Sequence, residues 1–173
     1  TEPRLFRLAY APFPRRIGVI EPWFSLDHWI ARAREEGVIA GLRRTMGHVS
    51  AERVISGPGL VNIYQSLCEL DGEPADSNFA PDEVSARALA ATCPRAGEAL
   101  AQFAYQARKQ AGALIAAMGG VDRIIFTGGI GQYAPTIRAA ICEPLSDLYG
   151  ISLDTRANDL GETCISEPDS SVI

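Results

Sequence analysis

The stretch VDRIIFTGGIG, residues 121–131, decides which fold this chain is expected to adopt. Its apolar run at residues 124–126 is typical of a buried parallel strand, and glycines follow that run closely. Apolar residues then recur at helical spacing until Gly150. A strand that ends in glycines brings backbone N–H groups to the sheet edge at which open α/β proteins bind ligands. The stretch therefore predicts an α/β fold with a candidate ligand loop, although an ordinary strand-to-helix turn has the same pattern.

A second candidate loop, SGPG at residues 56–59, follows Glu52 and His48. A carboxylate at the mouth of a loop can accept hydrogen bonds from sugar hydroxyls. A solvated surface acid and a helix-terminal histidine fit the same spacing, and spacing alone favours that second interpretation. Neither His48 nor His28 has a partner at metal-ligand spacing, so no metal site is predicted.

Helical patterns cover most of the remaining chain. Helices are predicted from about residue 26 to Gly47, over 60–67, over 81–91, over 94–118 and over 137–148. Short β-prone stretches are predicted at residues 53–55 and 151–154. Residues 1–24 are rich in proline, arginine and aromatic side chains and show no clean periodicity.

Composition narrows the class of protein. The chain has 173 residues, with 16 Lys and Arg against 21 Asp and Glu, and its net charge of −5 argues against a nucleic-acid partner. No uncharged apolar run approaches the roughly 18 residues of a membrane span. The four cysteines lie at wide spacings without a CxxC pair, which favours reduced thiols in a cytoplasmic protein. The first residue is not methionine and no signal peptide is recognisable, so the chain is expected to begin inside a longer product.

Two stretches resemble known kinase families. The sequence GHVSAERVISGPGLVNIYQSL, residues 47–67, resembles bacterial glucokinase, and a weaker likeness extends over about residues 36–100. Residues 103–154, which contain FTGGIG, resemble the C-terminal domain of acetate kinase, within a likeness over about residues 88–173. Both families belong to the superfamily of acetate and sugar kinases, Hsc70 and actin. The resemblance implies two RNase-H-like α/β domains with ATP in the cleft between them.

The resemblance also implies roles for individual residues. Gly128, Gly129, Ile130, Gly131 and Gln132 would form the loop that packs against the adenosine of ATP or ADP. Acetate kinases usually continue that loop with Glu-Asn, whereas this chain has Gln-Tyr.

On the glucokinase side, Glu52 matches a glutamate that hydrogen-bonds the sugar, and Mg²⁺ would accompany ATP in the full enzyme. The resemblance gives no catalytic residue in this chain, because the phosphate loop and the catalytic groups of both families lie in an N-terminal lobe that is not recognised here.

The fold expected is therefore an RNase-H-like, actin-like ATPase C-terminal lobe, incomplete and helix-rich, with a small mixed sheet. The segments expected are residues 1–34 without assignment, 35–102 like glucokinase, and 103–173 like acetate kinase. The longer match favours an acetate-kinase-type phosphotransferase. Two alternatives stay open: a glucokinase-type sugar kinase, and an inactive nucleotide-binding fragment. The partners expected are acetate or glucose and, in some members, a second copy in a homodimer.

Overall fold

Helices dominate the structure. The computed structural model describes residues 26–74 and 79–173, with side chains described from residue 33. The α-helices in these ranges are α1 (Leu26–Met46), α2 (Gly57–Leu70), α3 (Pro81–Leu89), α4 (Pro94–Met118), α5 (Gly128–Tyr133), α6 (Pro135–Tyr149) and α7 (Thr155–Leu160). A 3-10 turn, Ala51–Arg53, lies between α1 and α2. The predictions on residues 1–24 and the role of that segment lie outside the described residues.

Proline and glycine set the helix boundaries, as the sequence predicts. Proline occupies the first turn of α2, α3, α4 and α6, where its missing N–H costs no hydrogen bond. Four of the described helices end at a glycine with positive φ: Gly47 after α1 at 72°, Gly119 after α4 at 78°, Gly150 after α6 at 66°, and Gly161 after α7 at 66°. The predicted bounds of α4 match the observed ones, and α3 ends at Leu89 rather than near residue 91.

The long helix α4 organises the core. It packs against α2, α3 and α6, and α1 packs against α2. The main hydrophobic cluster is built from buried side chains of these helices, among them Val38, Leu42, Leu60, Ile63, Leu67, Val84, Ala99, Phe103 and Ile137. Three alanines of α4, namely Ala96, Ala99 and Ala104, are buried in this core, while the C-terminal part of that helix leaves Leu114 and Met118 exposed. The expected boundary between residues 102 and 103 falls inside α4.

No β-strand forms in the described ranges, so the small mixed sheet stays a prediction. The expected buried strand at residues 121–126 is wrong for this structure, because only one backbone pair supports it. Ile124 N donates to Ile173 O at 2.9 Å, and Ile173 N donates to Asp122 O at 3.0 Å, which is one rung of a parallel ladder. Ile125 is accordingly 79% exposed.

The other β-prone stretches behave similarly. Leu153 and Ser166 form an isolated antiparallel bridge, and residues 53–55 belong to the turn that leads into α2. A small second cluster lies beside this bridge and is built from Cys142, Leu145, Ile151 and Val172. A strand is stabilised by several consecutive pairs along its length, and neither stretch has them here.

Candidate functional site

The glycine loop forms the short helix α5, and its residues serve different purposes. Gly128 has a φ of +70°, a conformation that residues with a Cβ rarely adopt. Gly131 lies so close to Phe126 that a Cβ would be 3.1 Å from the Phe126 carbonyl carbon. Gly129 has neither constraint, since nothing lies within 4 Å of the position of its Cβ. The surface beside Gly129 is therefore open to a ligand that needs close approach to the backbone.

Of the remaining residues of the predicted site, one packs against the core and one is exposed on the surface. Ile130 packs against the main hydrophobic cluster and fixes the loop to the core. Gln132 and its neighbour Tyr133 are exposed, the latter by 82%. The side chain of Thr127 does not cap α5, so the backbone N–H groups of the first turn are left for solvent or a ligand. The five predicted nucleotide-loop residues thus lie together on one edge of the molecule.

A large cavity borders this loop. It has a volume of about 820 Å³ and is lined in part by Gly131, Gln132, Tyr133 and Arg138. The lining also includes Glu162 and the segment around it. Such a volume lies within the range of small-molecule sites. The cavity reaches the C-terminal end of the loop, whereas the open surface at Gly129 lies at its other end.

Arg138 is a site feature that sequence reasoning missed. Its side chain is 3% exposed, and it donates to the backbone oxygens of Gly131 and Gln132, each at 2.8 Å. The signal in the sequence is a charged residue on the apolar face of α6, between Ile137 and Ile141. Burial of a guanidinium there requires several hydrogen-bond acceptors, and these are supplied by residues distant in sequence.

The second candidate loop has a clear structural role. Ser56 caps α2 by accepting from Gly59 N at 3.0 Å, and its hydroxyl donates to Glu52 O at 2.7 Å. Gly59 is required because a Cβ there would be 2.5 Å from the Val54 carbonyl carbon. The SGPG motif therefore builds a tight turn that holds the backbone of Glu52.

The side chain of Glu52 is free to reach a ligand. Residues 51–53 are exposed, and so is His48, to which no role was assigned. Val49 and Ile55, on either side of Glu52, pack against the same hydrophobic cluster as Ile130. The two candidate loops are thus attached to one core.

Within residues 26–74 and 79–173, no group of three or more His, Cys, Asp and Glu side chains is placed to hold a metal ion. None of the helices described is long and apolar enough to cross a membrane.

A match to a protein-family model shows the family of this chain. The model described as Glucokinase matches residues 26–140, which is well over half of the sequence. The chain belongs to the glucokinase family. The match contains both Glu52 and the glycine loop, and it extends the expected glucokinase likeness beyond residues 36–100 at both ends.

Curated glucokinases confirm the family at the level of sequence. Glucokinase from Klebsiella pneumoniae is 42% identical over 121 residues, which is 66% of this chain and 37% of that protein. Glucokinase from Aromatoleum aromaticum is 42% identical over 97 residues, 56% of this chain and 29% of that protein. This glucokinase-family chain therefore spans about a third of the length of these relatives.

Solved structures place the fold in the superfamily of acetate and sugar kinases. A glucokinase from an Antarctic psychrotroph is similar with a TM-score of 0.54 and 27% identity, covering 72% of this chain and 38% of that one. Acetate kinase from Porphyromonas gingivalis is similar with a TM-score of 0.51 and 28% identity, covering 79% of this chain and 32% of that one. The expected relationship to both families is confirmed.

Proposed function

We propose that this chain is the nucleotide-binding part of an ATP-dependent hexose kinase of glucokinase type. The reaction of the whole protein would transfer the terminal phosphoryl group of ATP to glucose and release ADP and glucose 6-phosphate. Family membership and the relatives near 40% identity support this assignment over the acetate-kinase type that the sequence placed first. A small-molecule substrate, a cytoplasmic location and a homodimer remain predictions, and so does the absence of nucleic-acid and membrane partners.

The nucleotide is proposed to bind at the glycine loop. Gly128 and Gly129 are exposed, and the open space at Gly129 lets a flat ring or sugar approach the backbone without meeting a side chain. Ile130 and Gly131 hold the loop against the protein from behind. The open surface at Gly129 is the single observation that carries the nucleotide proposal. Mg²⁺ is proposed to arrive with the phosphates of ATP.

The sugar is proposed to meet Glu52. The backbone of Glu52 is fixed by the Ser56 hydroxyl, while its side chain is exposed and able to accept hydrogen bonds from hydroxyl groups. A carboxylate bonded to a sugar hydroxyl orients the sugar, and such positioning supplies much of the rate in phosphoryl transfer. Glu52 is proposed as a substrate-binding residue, with no role in moving the phosphoryl group.

An acetate-kinase-type activity is the second candidate. The structural match to the Porphyromonas acetate kinase covers more of this chain than the match to the Antarctic glucokinase, 79% against 72%. The two candidates differ in their acceptor. A carboxylate acceptor has no hydroxyl group that could donate a hydrogen bond to Glu52. Like charges at short distance repel, so Glu52 would weaken acetate binding at the same position.

Thermal unfolding with added acceptor separates the two candidates. Glucose at millimolar concentration is expected to raise the Tm of the wild-type chain, and the Glu52→Gln variant is expected to lose that protection. Glu69→Gln, a change of another exposed glutamate on α2, is the matched control and should keep the protection. Protection by acetate and none by glucose would reject the hexose assignment and support the second candidate.

A further inference from the structure

Arg138 joins three parts of the candidate site through one buried side chain. Its Nε donates to Asn158 Oδ1 at 2.7 Å, and one Nη donates to the backbone oxygens of Gly131 and Gln132. The other Nη donates to the backbone oxygen of Asn158. Asn158 in turn donates from Nδ2 to Pro135 O at 3.0 Å, at the start of α6. The end of the glycine loop, α6 and α7 are thereby held in one network.

The network is inside the protein and its partners are neutral. Arg138 is 3% exposed and Asn158 is 2% exposed. Among the described residues, no carboxylate forms a salt bridge with Arg138, and its acceptors there are an amide oxygen and backbone carbonyls. Burial of a guanidinium has a cost in desolvation, which these several acceptors offset.

The planar guanidinium also fixes an angle between the elements that it joins. Of the five N–H donors in its rigid fork, four bond at once to the carbonyls of two successive loop residues and to two oxygens of Asn158. A lysine at this place has a single ammonium on a flexible stem and cannot span the same acceptors. The loop carbonyls it failed to reach would be partly buried without a partner.

We infer that Arg138 is a positioning residue for the nucleotide loop. By holding the carbonyls of Gly131 and Gln132, it sets the direction in which Gly128 and Gly129 present their backbone to a ligand. Asn158 supports it by accepting from the guanidinium and by tying α7 to α6. This inference rests on the proposed function, since the loop must bind a nucleotide for its position to affect affinity.

The test compares three variants of the full chain: Arg138→Lys, Asn158→Ala and Cys142→Ala. Cys142 is buried one turn along α6 from Arg138 and takes no part in the hydrogen-bond network of Arg138 and Asn158, so its truncation disturbs the same helix without removing a bond of that network. The first readout is the dissociation constant of ADP carrying a fluorescent group on its ribose. The second is hydrogen exchange at the backbone amides of residues 129–133, which needs no ligand. Tm measures the loss of stability in each variant.

We expect Arg138→Lys to weaken ADP binding at least tenfold and to speed exchange in the loop. Asn158→Ala should do the same to a smaller extent and covers the case in which the lysine variant fails to fold. Cys142→Ala should change ADP affinity less than twofold, even if its Tm falls by as much as that of the Arg138 and Asn158 variants. Unchanged exchange and affinity in both network variants would overturn the positioning role and leave the nucleotide proposal standing. Failure of the wild-type chain to bind ADP at millimolar concentration would overturn the proposed function itself.

Discussion

At the scale of single residues, glycine is needed for more than one physical reason. Gly128 is required by its positive φ, Gly131 and Gly59 by close packing, and Gly129 by neither. The sequence shows only that glycine is present. The structure shows why it is needed, through the atoms that a Cβ at that position would meet. The role of Arg138 is likewise not visible in the sequence. Its acceptors lie on the glycine loop before α6 and on α7, and no local sequence pattern connects them.

Gly59 gives a stability prediction at this scale. The Gly59→Ala variant places a Cβ 2.5 Å from the Val54 carbonyl carbon and 2.6 Å from its oxygen, so the backbone must move. We expect the free energy of unfolding to fall by about 1–3 kcal/mol, measured by urea denaturation.

The matched control is Gly112→Ala in the middle of α4, where nothing lies within 4 Å of the new Cβ. Alanine there should raise the free energy of unfolding by about 0.5–1 kcal/mol. Equal effects of the two substitutions would show that α2 does not approach Val54 as described.

At the scale of elements, caps and periodicity made the helices predictable, while the sheet was not. A helix satisfies its hydrogen bonds within one segment, so proline at the start and glycine at the end of α4 define it from the sequence. A strand depends on partners elsewhere, and residues 121–126 find a single pair with Ile173. The apolar run 124–126 is therefore not a buried strand, and that prediction is wrong for this structure.

A network of ion pairs also acts between elements. Arg34 of α1 bonds Asp71, at the end of α2, at 2.9 Å and also pairs with Glu98 of α4. Arg95 of α4 bonds the second oxygen of Asp71 at 2.9 Å and reaches Glu73. Hydrogen bonding from Arg34, with the charges of both arginines, lowers the pKa of Asp71 below its ordinary value.

This network predicts a pH dependence of stability. A carboxyl whose pKa is lowered on folding contributes stability above its unfolded pKa, and that contribution is lost as pH falls through its folded pKa. Asp71→Asn should therefore be less stable than wild type at pH 7, with a difference that shrinks below about pH 4. Urea denaturation across this pH range measures the difference.

The control for Asp71 is Asp159→Asn, a change of an exposed aspartate on α7. It removes the same charge without breaking a bond to Arg34 or Arg95, so at pH 7 it should lower the free energy of unfolding less than Asp71→Asn does. A gap between Asp71→Asn and wild type that stayed constant down to pH 3 would contradict the ion-pair account.

At the scale of the whole molecule, two loops that are distant in the sequence are attached to one hydrophobic core. The turn that carries Glu52 and the glycine loop both pack on the cluster organised by α4. Motif spacing located both loops in the sequence, whereas the proposal of hexose rather than carboxylate chemistry depends on the family match. The proposal that Glu52 binds the substrate depends on the resemblance, because an exposed glutamate has no distinctive sequence pattern of its own.

The most direct test of the central claim is ADP and ATP binding by isothermal titration with Mg²⁺ present, comparing wild type, Gly129→Val and Gly112→Val. Both glycines have open space around them, so both valine variants should fold, each losing no more than about 1 kcal/mol. The account predicts that wild type and Gly112→Val bind nucleotide alike and that Gly129→Val binds at least tenfold more weakly. Equal nucleotide binding by Gly129→Val and wild type, or none by wild type at millimolar ligand, would contradict it.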